Sequence, residues 1–122
     1  MLKAASVYLH KIDFPRAYRL VSKADFARMK QGKRFKVLGL NLVIAPNDCN
    51  HARLGLAVSG KYGNAVQRNR LKRCLRSAFR QHNIREHKMD ILAIPSPHLK
   101  AENITEHMMS TCFDTLSKRC NI

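Results

Sequence analysis

Between Gln67 and Arg80 the chain reads QRNRLKRCLRSAFR, and no other stretch constrains the fold as much. Leu71, Cys74, Leu75, Ala78 and Phe79 recur at the spacing that lines one side of a helix with apolar groups. At about 100° per residue, Lys72, Arg73, Arg76 and Arg80 project from the opposite side, with Asn69 among them. Arg68 and Arg70 diverge from that cluster, in the first turns, where a helix end can reach past the core it packs on. Asn64 is placed to cap the helix, with Gln67 reaching back from the third helical position. The helix therefore has one side for a core and one for an anion.

Elements that can supply the core flank this helix. Ser22-Lys23-Ala24-Asp25 resembles a capping box and predicts a short helix with Phe26 and Met29 on its apolar side, ended by Gly32. From Phe35 to Ala45 the residues alternate, with Leu38, Leu40, Leu42 and Ile44 on one face, which predicts a strand. Pro46-Asn47-Asp48 makes a turn, and Leu54, Leu56 and Val58 form a second alternating run. The expectation is that the two runs pair as an antiparallel hairpin. Met89 to Ile94 predicts a further strand closed by Pro95 and Pro97, and Glu102 to Lys118 a last helix with Ile104, Met108, Cys112 and Leu116 in register. No repeat or linker divides the 122 residues, so a single domain over 1–122 is expected, with 1–13 a flexible arm.

Charge narrows the function. Lys and Arg number 23 against 8 Asp and Glu, a formal net charge of +15, and no acid lies between Asp48 and Glu86. Ordinary solvated helix faces mix signs, with Glu paired to Lys four residues on. Here like charges repel without relief, which a chain tolerates when an anionic partner neutralises them. A polyphosphate backbone fits. The apolar stretch from Val37 to Pro46 is too short to span a bilayer, and residues 1–14 read as neither signal peptide nor anchor, so no membrane partner is expected. Within the basic helix Arg outnumbers Lys five to one, and the planar guanidinium can bond two phosphate oxygens or stack on a base. Structured RNA displays its phosphates and hides its deep groove, so the face suits RNA, although DNA phosphates would meet it too.

Cys49, Cys74, Cys112 and Cys120 form no C-x-x-C pair, and Cys74 and Cys112 fall on apolar helical positions, so they read as small buried hydrophobes rather than metal ligands. Free thiols suggest a reducing cytoplasm. The acids Asp13, Asp25, Asp48, Glu86, Asp90, Glu102, Glu106 and Asp114 are scattered, and only Glu102 and Glu106 share a helical face. Two-metal nucleases need clustered carboxylates. No spacing singles out two of the six histidines as an acid–base pair either. No side chain of this chain is assigned catalysis or a metal.

The run from Arg53 through Arg80, RLGLAVSGKYGNAVQRNRLKRCLRSAFR, closely resembles the signature of the bacterial ribonuclease P protein family. The elements that carry the resemblance are Val58-Ser59, Lys61, Gly63-Asn64-Ala65-Val66 and then Arg68-Asn69-Arg70-Leu71-Lys72-Arg73. Phe14-Pro15-Arg16, Arg19-Leu20, Phe26 and Asp90-Ile91 match elsewhere, so the resemblance covers roughly residues 14–116. It implies an α/β (α+β) sandwich, with a small, mostly antiparallel central sheet, three helices and a left-handed β-α-β crossover through the basic helix. It also implies one protein bound to one large catalytic RNA, with precursor tRNA as substrate. Carried over by position, Lys61, Arg68, Asn69, Arg70, Lys72, Arg73, Arg76 and Arg80 would bind the RNA subunit. Arg16, Arg19, Phe26 and Lys30 would border a cleft for the single-stranded 5′ leader, with Phe26 and Phe35 each facing either that cleft or the core. Hydrolysis would belong to the RNA, with water activated by Mg²⁺ bound mainly there, leaving a 5′-phosphate. Gly60, Ser77 and Lys30 depart from the family pattern, where a base, an acid and an aromatic are common. A ribosomal or other structural RNA-binding protein, or a small DNA-binding module, would share the charge alone.

Overall fold

Ser22 opens the first helix, α1 (Lys23–Arg28), its hydroxyl accepting the Asp25 N–H at 3.0 Å. The structure, a computed structural model, describes residues 18–20, 22–97, 99 and 104–121. The expected arm over residues 1–13, Arg16 and Glu102 lie outside them. A 3₁₀ turn, Met29–Gln31, follows α1, and Gly32 stops it with φ −73°. That is ordinary backbone, so Gly32 is required for a different reason than a left-handed cap. A Cβ there would fall 2.5 Å from the Ile44 carbonyl oxygen.

The strand expected over 35–45 is two strands. β1 (Lys33–Val37) turns back at Leu38-Gly39 into β2 (Leu40–Pro46), pairing Val37 with Leu40 and Phe35 with Leu42. Leu38 and Gly39 take φ of 48° and 85°, the positive values that two-residue hairpins require. Leu38, assigned by alternation to a buried face, is instead 51% exposed at the tip. A leucine in this left-handed conformation costs about 1–2 kcal/mol.

The expected hairpin between the two alternating runs does not form. β3 (Arg53–Leu56) lies parallel to β4 (Met89–Pro95), and β2 pairs antiparallel with β1 and β4, giving the order β1-β2-β4-β3. The reason lies in β4, whose run MDILAIP is buried at six of seven positions and must have neighbours on both edges and both faces. Parallel neighbours need a long crossover. The basic helix, α2 (Ala65–Gln81), supplies it and completes a β-α-β unit.

The last helix, α3 (Glu106–Cys120), starts later than the spacing predicts, because Thr105 caps it by accepting the Met108 N–H. Ile104, fully buried, precedes it, and Glu106 stands in its first turn. α2 and α3 pack together on one sheet face around Leu42, Leu54, Leu71, Phe79, Ile91, Phe113 and Leu116. Phe79 and Phe113 meet edge to face there at 5.8 Å. Cys112 is buried among them, and burial pushes its thiol up to about 11, so it behaves as a small hydrophobe. α1 and Leu20 cover the other face over Val43, Ala45 and Leu92. No helix of the described residues is long and apolar enough to cross a membrane.

Candidate nucleic-acid interface

A full capping box starts α2. Asn64 Oδ1 accepts the Gln67 N–H and Gln67 Oε1 accepts the Asn64 N–H, both at 2.9 Å. Gly63 makes room for it, since a Cβ there would sit 2.1 Å from Gln67 Oε1. Leu71, Leu75, Ala78 and Phe79 are buried, so the stripe read from the sequence is the packed side. Asn69 and Arg73 stand exposed opposite it, with Arg80 half-buried beside them. Lys61 is exposed just upstream, in the 3₁₀ turn Gly60–Tyr62. A side chain at Gly60 would meet nothing within 4 Å, so this position opens onto free space. Ser77 accepts a hydrogen bond from Gln81 at 3.2 Å.

The remaining cations divide between two flanks. On one, Arg68 donates to the Gly63 carbonyl at 2.6 Å, and Lys72 and Arg76 are half-buried. Burial, and then the positive charge of Arg19, lower the pKa of Arg76. Arg19 therefore stands with the basic helix; its backbone bridges Leu54 at the outer edge of β3. On the other flank Arg70 is exposed along its stem, but its guanidinium donates twice to the Ile104 carbonyl, at 3.0 and 3.3 Å. Gln81 reaches Glu106 at 2.6 Å on the same side. Arg70, assigned from the sequence to the RNA subunit, thus also braces the lead-in to α3. Arg70→Ala should cost about 1–3 kcal/mol by stranding that carbonyl. Arg73→Ala should stay within about 0.5 kcal/mol. Thermal unfolding of the two variants checks this.

Beneath α1, on the opposite sheet face, lies a second charged assembly. Asp90 has 0% exposure, and Arg53 clasps it with two bonds of 2.8 Å, from Nε to Oδ1 and from Nη2 to Oδ2. Arg28 Nη2 adds a 3.0 Å bond to Oδ2, and Asn47 Nδ2 a 2.8 Å bond to Oδ1. Asp25 closes the ring by accepting from Arg28 at 3.0 Å and from Arg53 at 3.3 Å. For Asp25, burial favours the neutral acid, but the Ser22 hydroxyl, Arg53 and Arg28 outweigh it and hold the pKa below the ordinary value. The strongest pull on Arg53 is its bond to Asp90, which raises its pKa beyond any accessible pH. α1 itself buries no residue, so this ring and the 3₁₀ residue Met29 do much of the holding. Sequence reading passed over the ring, although one acid inside an apolar strand was its signal.

Phe26 is half-buried on this same face, against the cluster under α1, and Lys30 is exposed beside it. Phe35 packs on the other face, against the main core, so the two aromatics do not share a site. Phe26 and Lys30 are thus brought together, while Arg19 belongs with Arg76.

A family model described as Ribonuclease P matches residues 14–121. A ribonuclease P protein component of Staphylococcus aureus is 35% identical over 103 residues, covering 77% of this chain and 89% of the relative. One from Macrococcus caseolyticus is 37% identical over 102 residues, with the same shares covered. Among solved structures, the Staphylococcus aureus RNase P protein aligns with a TM-score of 0.72 at 32% identity, over 86% of this chain and 96% of that one. The Thermotoga maritima RNase P protein aligns with a TM-score of 0.71 at 30% identity, over 83% and 96%.

Proposed function

The chain belongs to the ribonuclease P protein family, and from that premise we infer its work: as the protein subunit of ribonuclease P it binds the catalytic RNA and the 5′ leader of precursor tRNA. The observation that carries this reading is α2, packed on one side and cationic on the other, with no acid in its whole length. Asn69, Arg73 and Arg80 at its apex, with Lys72, Arg76 and Lys61 alongside, would neutralise phosphates of the RNA subunit. Phe26 and Lys30, held over the sheet by the carboxylate–guanidinium ring, would border the leader. An aromatic that stacks on a base is worth about 1–3 kcal/mol.

The bond-breaking is assigned to the RNA. Water attacks the phosphorus, the leader departs with a 3′-hydroxyl, and the tRNA keeps a 5′-phosphate. Mg²⁺, held mainly by the RNA, supplies the activation of that water. Of this chain's acids, Asp25 and Asp90 are occupied by guanidiniums, Asp114 is engaged by His82 at 2.6 Å and Glu106 by Gln81. Among the described residues no acids cluster as a metal pair would need. The protein's part is to screen repulsion between the two RNAs and so raise the affinity of productive Mg²⁺. One protein per RNA subunit, in the cytoplasm, fits that role.

Adding the protein to a bacterial ribonuclease P RNA at low Mg²⁺ should restore leader removal from precursor tRNA. Unchanged cleavage would sink this reading in favour of a ribosomal or other structural RNA-binding protein. Competition between A-form RNA and duplex DNA at one salt concentration tests the DNA alternative.

A further inference from the structure

Val66 is 77% exposed, and among the described residues only it and Leu38 are large hydrophobics left in the open. A single exposed valine is ordinary on a protein surface, so its meaning comes from its position. At about 100° per residue along α2, Leu75 lies directly opposite Val66. Arg73 and Arg80 fall within about 40° of it, and Asn69 within about 60°. Val66 thus stands at the crest of the cationic side and away from the packed stripe. It has no part in the capping box, which Asn64 and Gln67 complete between themselves. Nor does it favour the helix, since a β-branched side chain is poorer there than alanine. What it adds is apolar surface, set among cations and turned toward the partner they attract. Asn69, one turn on, is exposed, and its amide makes no hydrogen bond among the described residues. Residues three apart on a helix are neighbours, about 5–6 Å from each other.

We propose that Val66 and Asn69 hold one unstacked base of the RNA subunit, Val66 against its face and Asn69 hydrogen-bonded to its edge. The proposal rests on the RNA-subunit reading above and deepens it. Phosphate contacts position a nucleic acid, whereas base contacts choose which nucleotide sits in the register. RNA offers apolar surface chiefly on base faces, and these are open only where a base has left its stack. A ribose edge presents the 2′-hydroxyl instead. The Asn69 amide carries both donors and an acceptor, as pairing with a base edge requires, while guanidinium and ammonium groups carry donors alone. Arg73, two turns or about 10 Å further along the axis, and Lys61, exposed ahead of the helix, are left for the flanking backbone.

The test titrates the full chain against a bacterial ribonuclease P RNA at several salt concentrations. Val66→Ser should weaken binding about tenfold, the order expected when one apolar side chain loses its contact. The log–log salt slope should stay at its wild-type value, because no phosphate contact is removed. Valine and serine have similar helix propensities and the position is open, so the melting point should not move. Val66→Ile should bind like wild type. Chemical probing of unpaired bases should find one that wild type shields and Val66→Ser leaves open. An abasic nucleotide at that position should cost wild type about tenfold and Val66→Ser almost nothing more. Asn69→Ala should accept other bases there that wild type rejects. A wild type that ignores this RNA overturns the RNA-subunit reading itself. Val66→Ser binding as tightly as wild type overturns the base contact alone. So does a weakening that brings the salt slope down with it, since Val66 would then only be holding the cations in place. A weakening that no abasic position shares would put Val66 on the ribose, and the proposed base would be wrong.

Discussion

Asp90→Ala should destabilise the protein by about 3 kcal/mol, the low end of what removing one partner of a buried ion pair costs. The carboxylate has 0% exposure and takes four bonds, two from Arg53, one from Arg28 and one from Asn47. Without it two guanidiniums face each other beneath α1. The loss stays at the low end because the Arg28 side chain is 44% exposed and can rehydrate, and because Asp25 remains between the two. Asp25→Asn should cost only about 1 kcal/mol, since its own side chain is 15% exposed. The direction with pH follows from Asp25, whose pKa is depressed on folding. Its contribution is present in full above its unfolded pKa and is lost as pH falls through the folded one, below about pH 4. Urea titrations at pH 7 and pH 3 check both parts. A wild-type midpoint that does not fall in acid, or an Asp90→Ala midpoint equal to wild type, would mean that the ring does not hold α1.

That ring marks where sequence reading stopped. Helix α2 was legible because stripe and cap are local: Leu71, Leu75, Ala78 and Phe79 are buried, and Asn64 and Gln67 form the box their spacing predicts. The hairpin inside 35–45 was hidden by a run of alternating residues that looks continuous. Its trace is a change of phase, with Phe35 and Val37 on the core side at odd positions and Leu40, Leu42 and Ile44 on that side at even ones. The pairing of β3 was misread because neighbouring runs were expected to pair, while the demand of β4 for cover on both edges is a property of the whole sheet. Charge was legible in amount but not in allocation. Arg70 and Arg73 are both assigned to the RNA subunit from the sequence, yet one is bonded to the Ile104 carbonyl and the other has no such tie. The start of α3 shifted for a similar reason, since either Glu102 or Glu106 suits a first turn and only the Thr105 cap decides.

Lys72→Ala/Arg73→Ala/Arg76→Ala should lower affinity for the RNA subunit by roughly 10²–10³-fold at about 0.1 M salt, with the log–log salt slope falling by about 2.7 units, close to 0.9 per lost phosphate contact. Arg73 stands exposed opposite the buried stripe of α2 and Lys72 and Arg76 are half-buried on one flank, and none of the three forms an ion pair among the described residues, so their removal breaks no internal bridge. Arg76 is the one whose loss should also touch stability, and favourably. Its guanidinium is half-buried with the charge of Arg19 beside it, which is a cost in the free protein. Folding and binding thus pull in opposite directions at this residue. The triple variant should unfold no earlier than wild type while binding RNA far more weakly, a combination that damage to the fold cannot produce. Titration of labelled ribonuclease P RNA at several salt concentrations, set beside a melt of each protein, reads both. An unchanged slope would move the RNA contact to another surface, and a lowered melting point would show that the cationic side of α2 serves the core.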